Sequence, residues 1–133
     1  MKPVKAKISK PITLRTVLTC IDNSGAKKLS VIAVKTYKGK RRRLPRAGIG
    51  DIVICSVVNG NEKMRHKVVY AVIVRQKKEY RRPDGTRIKF EDNAAVVINP
   101  KNNEPQGTEI RGIVAKEVIQ RFSAIGKIAT QVV

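Results

Sequence analysis

The sequence VVYAVIVRQKKEYRRPDGTRIKFEDNAAVVI, residues 68–98, contains two apolar runs separated by a polar and basic segment. The first run, residues 68–75, is almost entirely apolar and rich in β-branched side chains, which predicts the most deeply buried strand of the fold. The second run, residues 94–98, predicts a further strand that ends at Asn99-Pro100. The two runs indicate a protein built from β-strands around one core.

The segment between these runs predicts an exposed β-hairpin. Pro83 presets the backbone for the second position of a type I turn, and Gly85 supplies the left-handed residue that closes it. Basic and apolar side chains alternate over residues 87–90, so the returning arm has one apolar face and one basic face. We therefore expect the hairpin to present a cationic side to its surroundings.

Further strands are predicted on the N-terminal side of this segment. LRTVLTCI (14–21) and LSVIAV (29–34) flank the turn cluster DNSGAK, in which Gly25 is free to take a positive φ, and together they predict a hairpin. Another strand is predicted at 51–58. Several short strands with turns at regular intervals favour a small closed barrel over a sandwich.

The C-terminal segment changes its pattern. Residues 101–112 are polar, whereas apolar residues from Val114 to Ile125 fall at helical spacings. We expect a long polar loop and then two short helices, with Ser123 as a candidate cap of the second. One domain is predicted over 1–133, divided into a basic N-terminal extension (1–13), the barrel and hairpin (14–98), and the loop and helices (99–133).

The charge of the chain points to a polyanionic partner. The net charge is +19, whereas a small soluble domain needs only about 2–8. Residues 1–50 hold fourteen basic residues and one acid, and the densest stretch is KTYKGKRRRLPRAG, residues 35–48, with seven basic residues. Because such a surplus destabilises a compact state by self-repulsion, we expect it to be neutralised by a nucleic acid.

Recognition of RNA phosphates and RNA shape fits this composition best. Arginine forks match phosphate oxygens bidentately, while 4% aromatic residues and no tryptophan argue against stacking on single-stranded bases. The predicted RNA contacts are the basic residues of the loop, of two turns and of the hairpin: Lys27, Lys28, Lys35, Lys38, Lys40, Arg41, Arg42, Arg43, Arg46, Arg65, Lys67, Arg81, Arg82, Arg87 and Lys89.

The sequence offers little for catalysis, for metal binding or for a membrane. His66 is the only histidine and has no carboxylate in its basic turn to orient it. Cys20 and Cys55 lie in apolar runs and are predicted to be reduced core thiols. GIGD at 48–51 precedes a strand, so it indicates a tight turn and not a phosphate loop. We expect no enzyme activity, no metal and no cofactor.

No apolar segment reaches the roughly 20 residues of a membrane span, and the N-terminal residues lack the apolar region of a signal peptide. An intracellular protein is therefore expected. Two other classes stay open from the residues alone: a basic ribonuclease that uses His66 with Lys63 or Arg65, and a DNA-compacting chromatin protein. RNA cleavage would identify the first, and equal affinity for duplex DNA and structured RNA would identify the second.

AVIVRQKKEYRRPDGTRIKFEDNAAVV, residues 71–97, resembles the signature of the universal large-subunit ribosomal protein L-fourteen family. TCIDNSGAKK, RAGIGDIV and EPQGTEIRGIVAKEV are similar to other parts of the family, and the ending SAIGKIATQVV is more similar to archaeal and eukaryotic members. The chain has Gly112-Ile113 where members commonly have Gly-Pro. The signature residues that match are Ala71, Val72, Ile73, Val74, Asp84, Gly85, Phe90, Asn93, Val96 and Val97.

The resemblance implies a five-stranded barrel with a projecting hairpin and short C-terminal helices. It implies a cytoplasmic, structural constituent of the large ribosomal subunit that binds large-subunit ribosomal RNA at the subunit interface. It also implies a bridge to small-subunit ribosomal RNA, contacts with neighbouring ribosomal proteins, and docking of an anti-association initiation or silencing factor through the C-terminal region. Glu109, Glu117 and Ser123 are the predicted docking residues, because that region is richer in acids.

Overall fold

The computed structural model describes residues 7–35, 37, 39 and 41–133, and its elements confirm the predicted mainly-β fold with a five-stranded barrel, a hairpin and two short C-terminal helices. The elements are β1 (Val17–Cys20), β2 (Ala26–Val34), β3 (Ile52–Gly60), β4 (Val68–Arg75), β5 (Tyr80–Arg81), β6 (Arg87–Ile88), β7 (Ala94–Ile98), β8 (Ile110–Val114), α1 (Lys116–Arg121), α2 (Ser123–Ile128) and β9 (Ala129–Val132).

The barrel has the strand order β1-β2-β3-β4-β7. The pairs β1–β2, β2–β3, β3–β4 and β4–β7 are antiparallel. The barrel closes between β1 and β7, which run parallel, with Thr19 opposite Ala94. Along β3 the buried residues Val53, Cys55 and Val57 alternate with more exposed ones, so one face of this strand forms the interior.

Strand β7 and the central part of β4 are buried on both faces, which explains their continuous apolar sequence. Residues 71–74 and all of β7 are buried. Their outer side is covered by the C-terminal segment, where the Ala115 N–H donates to the Val74 carbonyl at 3.3 Å and Val118 and Phe122 join the core. The prediction that 68–75 is the most buried strand is wrong, because all of β7 is buried, whereas Val68 at the start of β4 is 63% exposed.

The two ends of the barrel differ in what they carry. At one end, here called the loop end, residues 35–51 join β2 to β3 and residues 76–93 join β4 to β7. At the other, the turn end, lie the connections 21–25 and 61–67. The β2–β3 register places Ala26 opposite Gly60 at the turn end and Val34 opposite Val53 at the loop end. Along β2, Ala26 and Val34 are separated by roughly 26 Å.

Gln76 holds the loop end together. Its side chain is fully buried; Oε1 accepts from the Ile49 N–H at 3.0 Å, and Nε2 donates to the carbonyls of Ser9 and Lys78 at 3.1 and 3.0 Å. Three segments are therefore fixed to one side chain: the N-terminal segment, the turn before β3 and the root of the hairpin. A buried amide with these bonds satisfied is a rigid base for the loops above it.

The C-terminal region differs from the sequence prediction. The polar loop ends at Glu109, and β8 pairs in parallel with β9, which lies beyond both helices. Val114, predicted as helical, belongs to β8, and the N-cap of α2 is Phe122 and not Ser123. Local sequence patterns do not show a parallel pairing across two helices, because its partners are far apart in the chain.

The chain continues as a strand through Gly112-Ile113. Gly112 has φ +85°, and a Cβ there would lie 3.0 Å from Arg75 Nη1. Ile113 is paired with Gln131 of β9. Glycine is therefore required at 112, and the non-proline residue at 113 is accommodated within β8.

The predicted core thiols are confirmed. Cys20 and Cys55 are both free and buried. Burial, with the neighbouring Asp22 carboxylate, raises the pKa of Cys20 to about 12, and burial raises the pKa of Cys55 to about 12. Both thiols are therefore protonated and unreactive at neutral pH.

Candidate nucleic-acid interface

The basic loop is held at both of its ends, and its described arginines are exposed. The Lys35 N–H donates to the Ile52 carbonyl at 3.0 Å, while Ile12 and Ala47 exchange backbone hydrogen bonds of 3.0 and 2.7 Å. The predicted contacts Arg41, Arg42, Arg43 and Arg46 are all exposed. Lys38 and Lys40, which were also predicted, lie outside the described residues.

A cleft of about 510 Å³ opens within the loop, lined by Tyr37, Arg42, Arg43, Leu44 and Arg46. Tyr37 Oη donates to the Leu44 carbonyl at 3.2 Å, which ties the two sides of the loop together. Leu44 is 64% exposed and lines the cleft together with Arg42, Arg43 and Arg46. The cleft combines guanidinium groups with an aromatic ring and an aliphatic side chain, a combination that suits a nucleotide better than a bare phosphate.

The hairpin projects at the same end of the barrel as the basic loop. Arg81 pairs with Arg87 across β5 and β6, and Arg81, Arg87 and Lys89 are exposed while Phe90 is buried, as the alternation predicted. The turn of the hairpin closes at Gly85 as predicted, with a 2.9 Å hydrogen bond from the Gly85 N–H to the Arg82 carbonyl. Gly85 takes φ +89°. The loop and hairpin thus bring most predicted RNA contacts to the loop end.

Four predicted contacts lie elsewhere. Lys27 and Lys28 are exposed on β2 near the turn end, and Arg65 and Lys67 are exposed in the neighbouring turn. The Asn61 N–H donates to the Gly25 carbonyl at 3.0 Å, which holds these two connections side by side. The predicted residues therefore form two separate patches, a larger one at the loop end and a smaller one at the turn end.

Most of this charge is not balanced within the protein. In the described part of the chain, Arg87 alone among the exposed predicted contacts makes a salt bridge, with Glu79 at 3.3 Å. The remaining salt bridges there involve Lys10, Arg75, Arg82 and Arg121. Asp92, which lies just after the hairpin, binds Arg75 at 3.2 Å.

Arg82 is the exception among the predicted contacts, because it is 8% exposed and faces inward. Its Nε donates to Glu117 Oε1 at 2.7 Å, and its Nη2 donates to the Val133 carbonyl at 2.7 Å. Tyr80 Oη donates to Glu117 Oε2 at 2.9 Å. Burial alone would lower the pKa of Arg82, but hydrogen bonds to Glu117 and Tyr80 outweigh it and raise that pKa.

The Arg82–Glu117 pair therefore fastens the hairpin to α1. Glu117 is 4% exposed, so the expectation of an exposed acid on a docking surface is wrong, as is that of an exposed Arg82. Burial alternates over residues 80–82, so Arg82, just past the end of β5, is buried like Tyr80 while Arg81 is exposed. The other predicted docking residues, Glu109 and Ser123, are exposed.

Comparison with known proteins decides the family. The family model described as "Ribosomal protein L14p/L23e" matches residues 11–133. The chain is 50% identical to the large ribosomal subunit protein uL14 of Methanocella arvoryzae and to that of Halorubrum lacusprofundi, and 49% identical to that of Thermoplasma volcanium. Each alignment covers 133 residues, the whole of both chains.

The chain belongs to the ribosomal protein L14p/L23e family. The resemblance to the L-fourteen family, and to its archaeal members, is thereby confirmed. Members with these names are structural ribosomal proteins, which decides against the ribonuclease alternative. His66, the residue on which that alternative depended, is exposed in a turn and has φ +65°.

Two further findings concern metal sites and membrane-spanning helices. Among the residues with described positions, no group of three or more His, Cys, Asp or Glu side chains could hold a metal ion. No helix in the same residues is long and apolar enough to cross a membrane.

Sequence reasoning missed several residues at the loop end of this L14p/L23e chain. Lys10 and Arg121 both reach Asp51, at 3.6 and 3.2 Å, although they come from the N-terminal segment and from α1. Tyr37 and Leu44 line the cleft within the loop. For Lys10 and Arg121 no local signal exists, because only the tertiary fold brings their segments to the turn before β3.

Proposed function

We propose that this protein is a cytoplasmic, structural constituent of the large ribosomal subunit that binds large-subunit ribosomal RNA through the loop end of its barrel. The observation that carries this proposal is the exposed, uncompensated charge of Arg41, Arg42, Arg43 and Arg46 on a loop anchored at both ends. An anchored loop loses less conformational entropy on binding than a free one. Arginine-rich, irregular loops suit the backbone of folded RNA.

The hairpin supplies a second contact in the same interface. Arg81 and Lys89 are exposed on the hairpin, whose root Gln76 joins to the turn that ends the loop, and the Arg82–Glu117 pair fixes the hairpin against α1. Cations held on a rigid support favour recognition of RNA shape, since their spacing is set before binding. We assign Arg81, Arg87 and Lys89 to phosphate contacts and assign Arg82 to holding the hairpin in place.

The separation of the two patches supports contact with two RNA segments. Lys27, Lys28, Arg65 and Lys67 lie at the turn end, and Lys28 is roughly 23 Å along β2 from Lys35 at the start of the basic loop. A single RNA backbone segment that follows the basic loop reaches the turn-end patch only if it bends along the barrel. This arrangement suits a protein at the subunit interface that touches large-subunit RNA and forms a bridge to small-subunit RNA.

The C-terminal face is the better surface for proteins, including neighbouring ribosomal proteins and an anti-association factor. Ser123 begins α2, and Ala129 just after α2 pairs with Ile110, the neighbour of Glu109. Glu109 and Ser123 therefore lie near opposite ends of a helix about 9 Å long. Val132 on β9 is half exposed and adds an apolar side chain to the C-terminal region.

Binding to isolated large-subunit ribosomal RNA as a function of salt tests the main proposal. An affinity that falls steeply with salt, and that exceeds the affinity for duplex DNA of the same length, supports the RNA-binding role. Equal affinity for duplex DNA would favour the chromatin-type alternative instead. Glu109→Lys tests the docking surface, because it should weaken capture of an anti-association factor and leave RNA binding equal or tighter.

A further inference from the structure

A cleft of about 330 Å³ lies at the root of the basic loop, where five segments of the chain meet. These segments are the N-terminal segment, the end of β2, the turn before β3, the polar loop after β7 and the end of α1. The lining residues are Lys10, Lys35, Gly50, Asp51, Ile52, Asn103 and Arg121. Lys35 alone among them was predicted to contact RNA, so the cleft is a site that the fold assembles.

The cleft favours an anion. Three cationic side chains and one carboxylate line it. Asp51 is shared between its neighbours: Oδ1 accepts from Arg121 Nη1 at 3.2 Å, and Oδ2 accepts from the Gly48 N–H at 2.8 Å and lies 3.6 Å from Lys10 Nζ. One carboxylate does not balance three cations, so positive charge remains and is concentrated in a concave site.

Two of the cations are held in place before any ligand arrives. Arg121 Nη1 donates to the Gly50 carbonyl at 3.1 Å as well as to Asp51, and Lys35 Nζ lies 5.7 Å from the centre of the Tyr70 ring. A Cβ at Gly50 would stand 3.2 Å from Arg121 Cδ, and Gly50 has φ +85°. The absence of a side chain at Gly50 thus lets Arg121 lie across the turn. Because Arg121 and Lys35 are already positioned, less conformational entropy is lost when a ligand binds.

Two polar atoms of the lining lack a hydrogen-bond partner among the described residues: Arg121 Nε, a donor, and Asn103 Oδ1, an acceptor. Buried polar groups in native proteins are nearly always paired. Both atoms are shielded from solvent. Arg121 stays in place through its bonds to Gly50 and Asp51, so a ligand that carries a donor would satisfy Asn103 Oδ1 once the Asn103 side chain turns toward the opening.

We propose that this cleft binds one ribose-phosphate unit of an RNA backbone. The phosphate oxygens accept from Lys10, Lys35 and Arg121, and the ribose 2′-hydroxyl donates to Asn103 Oδ1. This inference rests on the proposed RNA-binding function and names a site for it. Lys35 begins the basic loop and the turn at 48–51 ends it, so a backbone that follows the loop passes the opening.

Asn103 is the residue that gives the cleft its preference for RNA. The phosphate contacts are common to RNA and DNA, whereas the 2′-hydroxyl is present in RNA alone. Asn103 has φ +58°, so Asn103→Gly keeps the backbone conformation while it removes the amide. This variant should bind large-subunit RNA about 3- to 10-fold more weakly and should bind DNA of the same sequence as the wild type does.

The charge of the cleft is tested with Lys10→Gln/Lys35→Gln. The matched control is Lys116→Gln/Lys127→Gln, which removes two exposed charges from the C-terminal segment. Loss of one phosphate contact should lower the log–log salt slope for large-subunit RNA by about 0.7–0.9, and the control should leave the slope unchanged. Denaturation curves that match the wild type establish that each variant is folded.

The possible results distinguish a failure of the cleft assignment from a failure of the proposed RNA-binding function. If the cleft variants behave like the control while Arg41→Ala/Arg42→Ala/Arg43→Ala still lowers the slope, the cleft does not contact RNA and the RNA-binding function stands. If the wild type does not bind large-subunit RNA, the function falls and the cleft assignment falls with it. Amide shifts at 50–52 and 103 caused by inorganic phosphate but not by RNA would assign the cleft to free phosphate and overturn the proposal.

Discussion

The arginines of the basic loop and Arg82 of the hairpin are the same residue type at the same end of the barrel, and their surroundings give them opposite roles. Arg41, Arg42 and Arg43 are exposed, and no salt bridge of the described residues includes them. Arg82 is buried against Glu117 and Tyr80. The loop arginines raise the self-repulsion of the free protein, whereas Arg82 stabilises its structure.

This difference teaches that charge density in a sequence does not identify which cations are available to a ligand. In the run Tyr80-Arg81-Arg82, the adjacent arginines differ in burial: Arg81 ends β5 and is exposed, whereas Arg82, just after the strand, is buried. The inward arginine meets an acid 35 positions away in the chain. A buried ion pair of this kind is costly to break, because removing one partner leaves the other charge buried and unpaired.

The largest effect is expected when the buried pair is broken. Glu117→Ala leaves the Arg82 guanidinium without its carboxylate and should lower the free energy of unfolding by about 3–5 kcal/mol. Chemical denaturation measures this change. Glu109→Ala, an exposed acid in the same region, is the control and should stay within about 0.5 kcal/mol of the wild type. A loss below about 1 kcal/mol for Glu117→Ala would show that the pair does not hold the hairpin.

The second-largest effect is expected on the salt dependence of RNA binding, with no loss of folding stability. Arg41→Ala/Arg42→Ala/Arg43→Ala removes up to three phosphate contacts, so the log–log salt slope for large-subunit RNA should fall by roughly 2–3. Its unfolding free energy should equal or exceed that of the wild type, because self-repulsion decreases. An unchanged slope would mean that the loop is only a solvated surface.

A smaller change is expected from the outward side of the hairpin. Arg81→Gln/Lys89→Gln removes two exposed cations and should lower the same salt slope by about 1.4–1.8. The free energy of unfolding should not change, in contrast to that of Glu117→Ala. If this double variant is destabilised and its salt slope is unaltered, the outer face of the hairpin is structural like the inner one.

The smallest effect is expected on the thermal stability of the free protein. Added salt of a few tenths molar should raise the Tm of the wild type by a few degrees, since it screens the repulsion among unpaired cations. The triple loop variant should show a smaller rise. Thermal melts at several salt concentrations measure both. A Tm that falls with salt would show that repulsion among the loop cations is not a main source of instability.

Much of the fold could be predicted from sequence, because its signals are local. Residues 68–75 and 94–98 are apolar enough to be strands buried on both faces, and Pro83 with Gly85 specifies the hairpin turn. The parallel pairing of β8 with β9 could not be predicted, since its partners are separated by two helices. Basic residues of the interface were visible as a charge run, but the exposure of each one was not.

The cleft at the root of the basic loop and the buried Arg82–Glu117 pair could not be predicted from the sequence either. Lys10, Asn103 and Arg121 belong to three distant segments that meet only in the folded chain. Glu117 has an ordinary position on a short helix, and nothing near it in sequence indicates that it faces Arg82. Long-range side-chain contacts of this kind depend on the tertiary packing and leave no local pattern.

Arginine modification of the free protein and of assembled large ribosomal subunits, located by mass spectrometry of peptides, tests the central claim most directly. A reagent such as phenylglyoxal reacts with exposed guanidinium groups. Arg41, Arg42, Arg43 and Arg46 should react in the free protein and be protected in the subunit, while Arg82 should react in neither state until the protein unfolds. Loop arginines that react equally in both states, or an Arg82 that reacts in the free folded protein, would contradict the account.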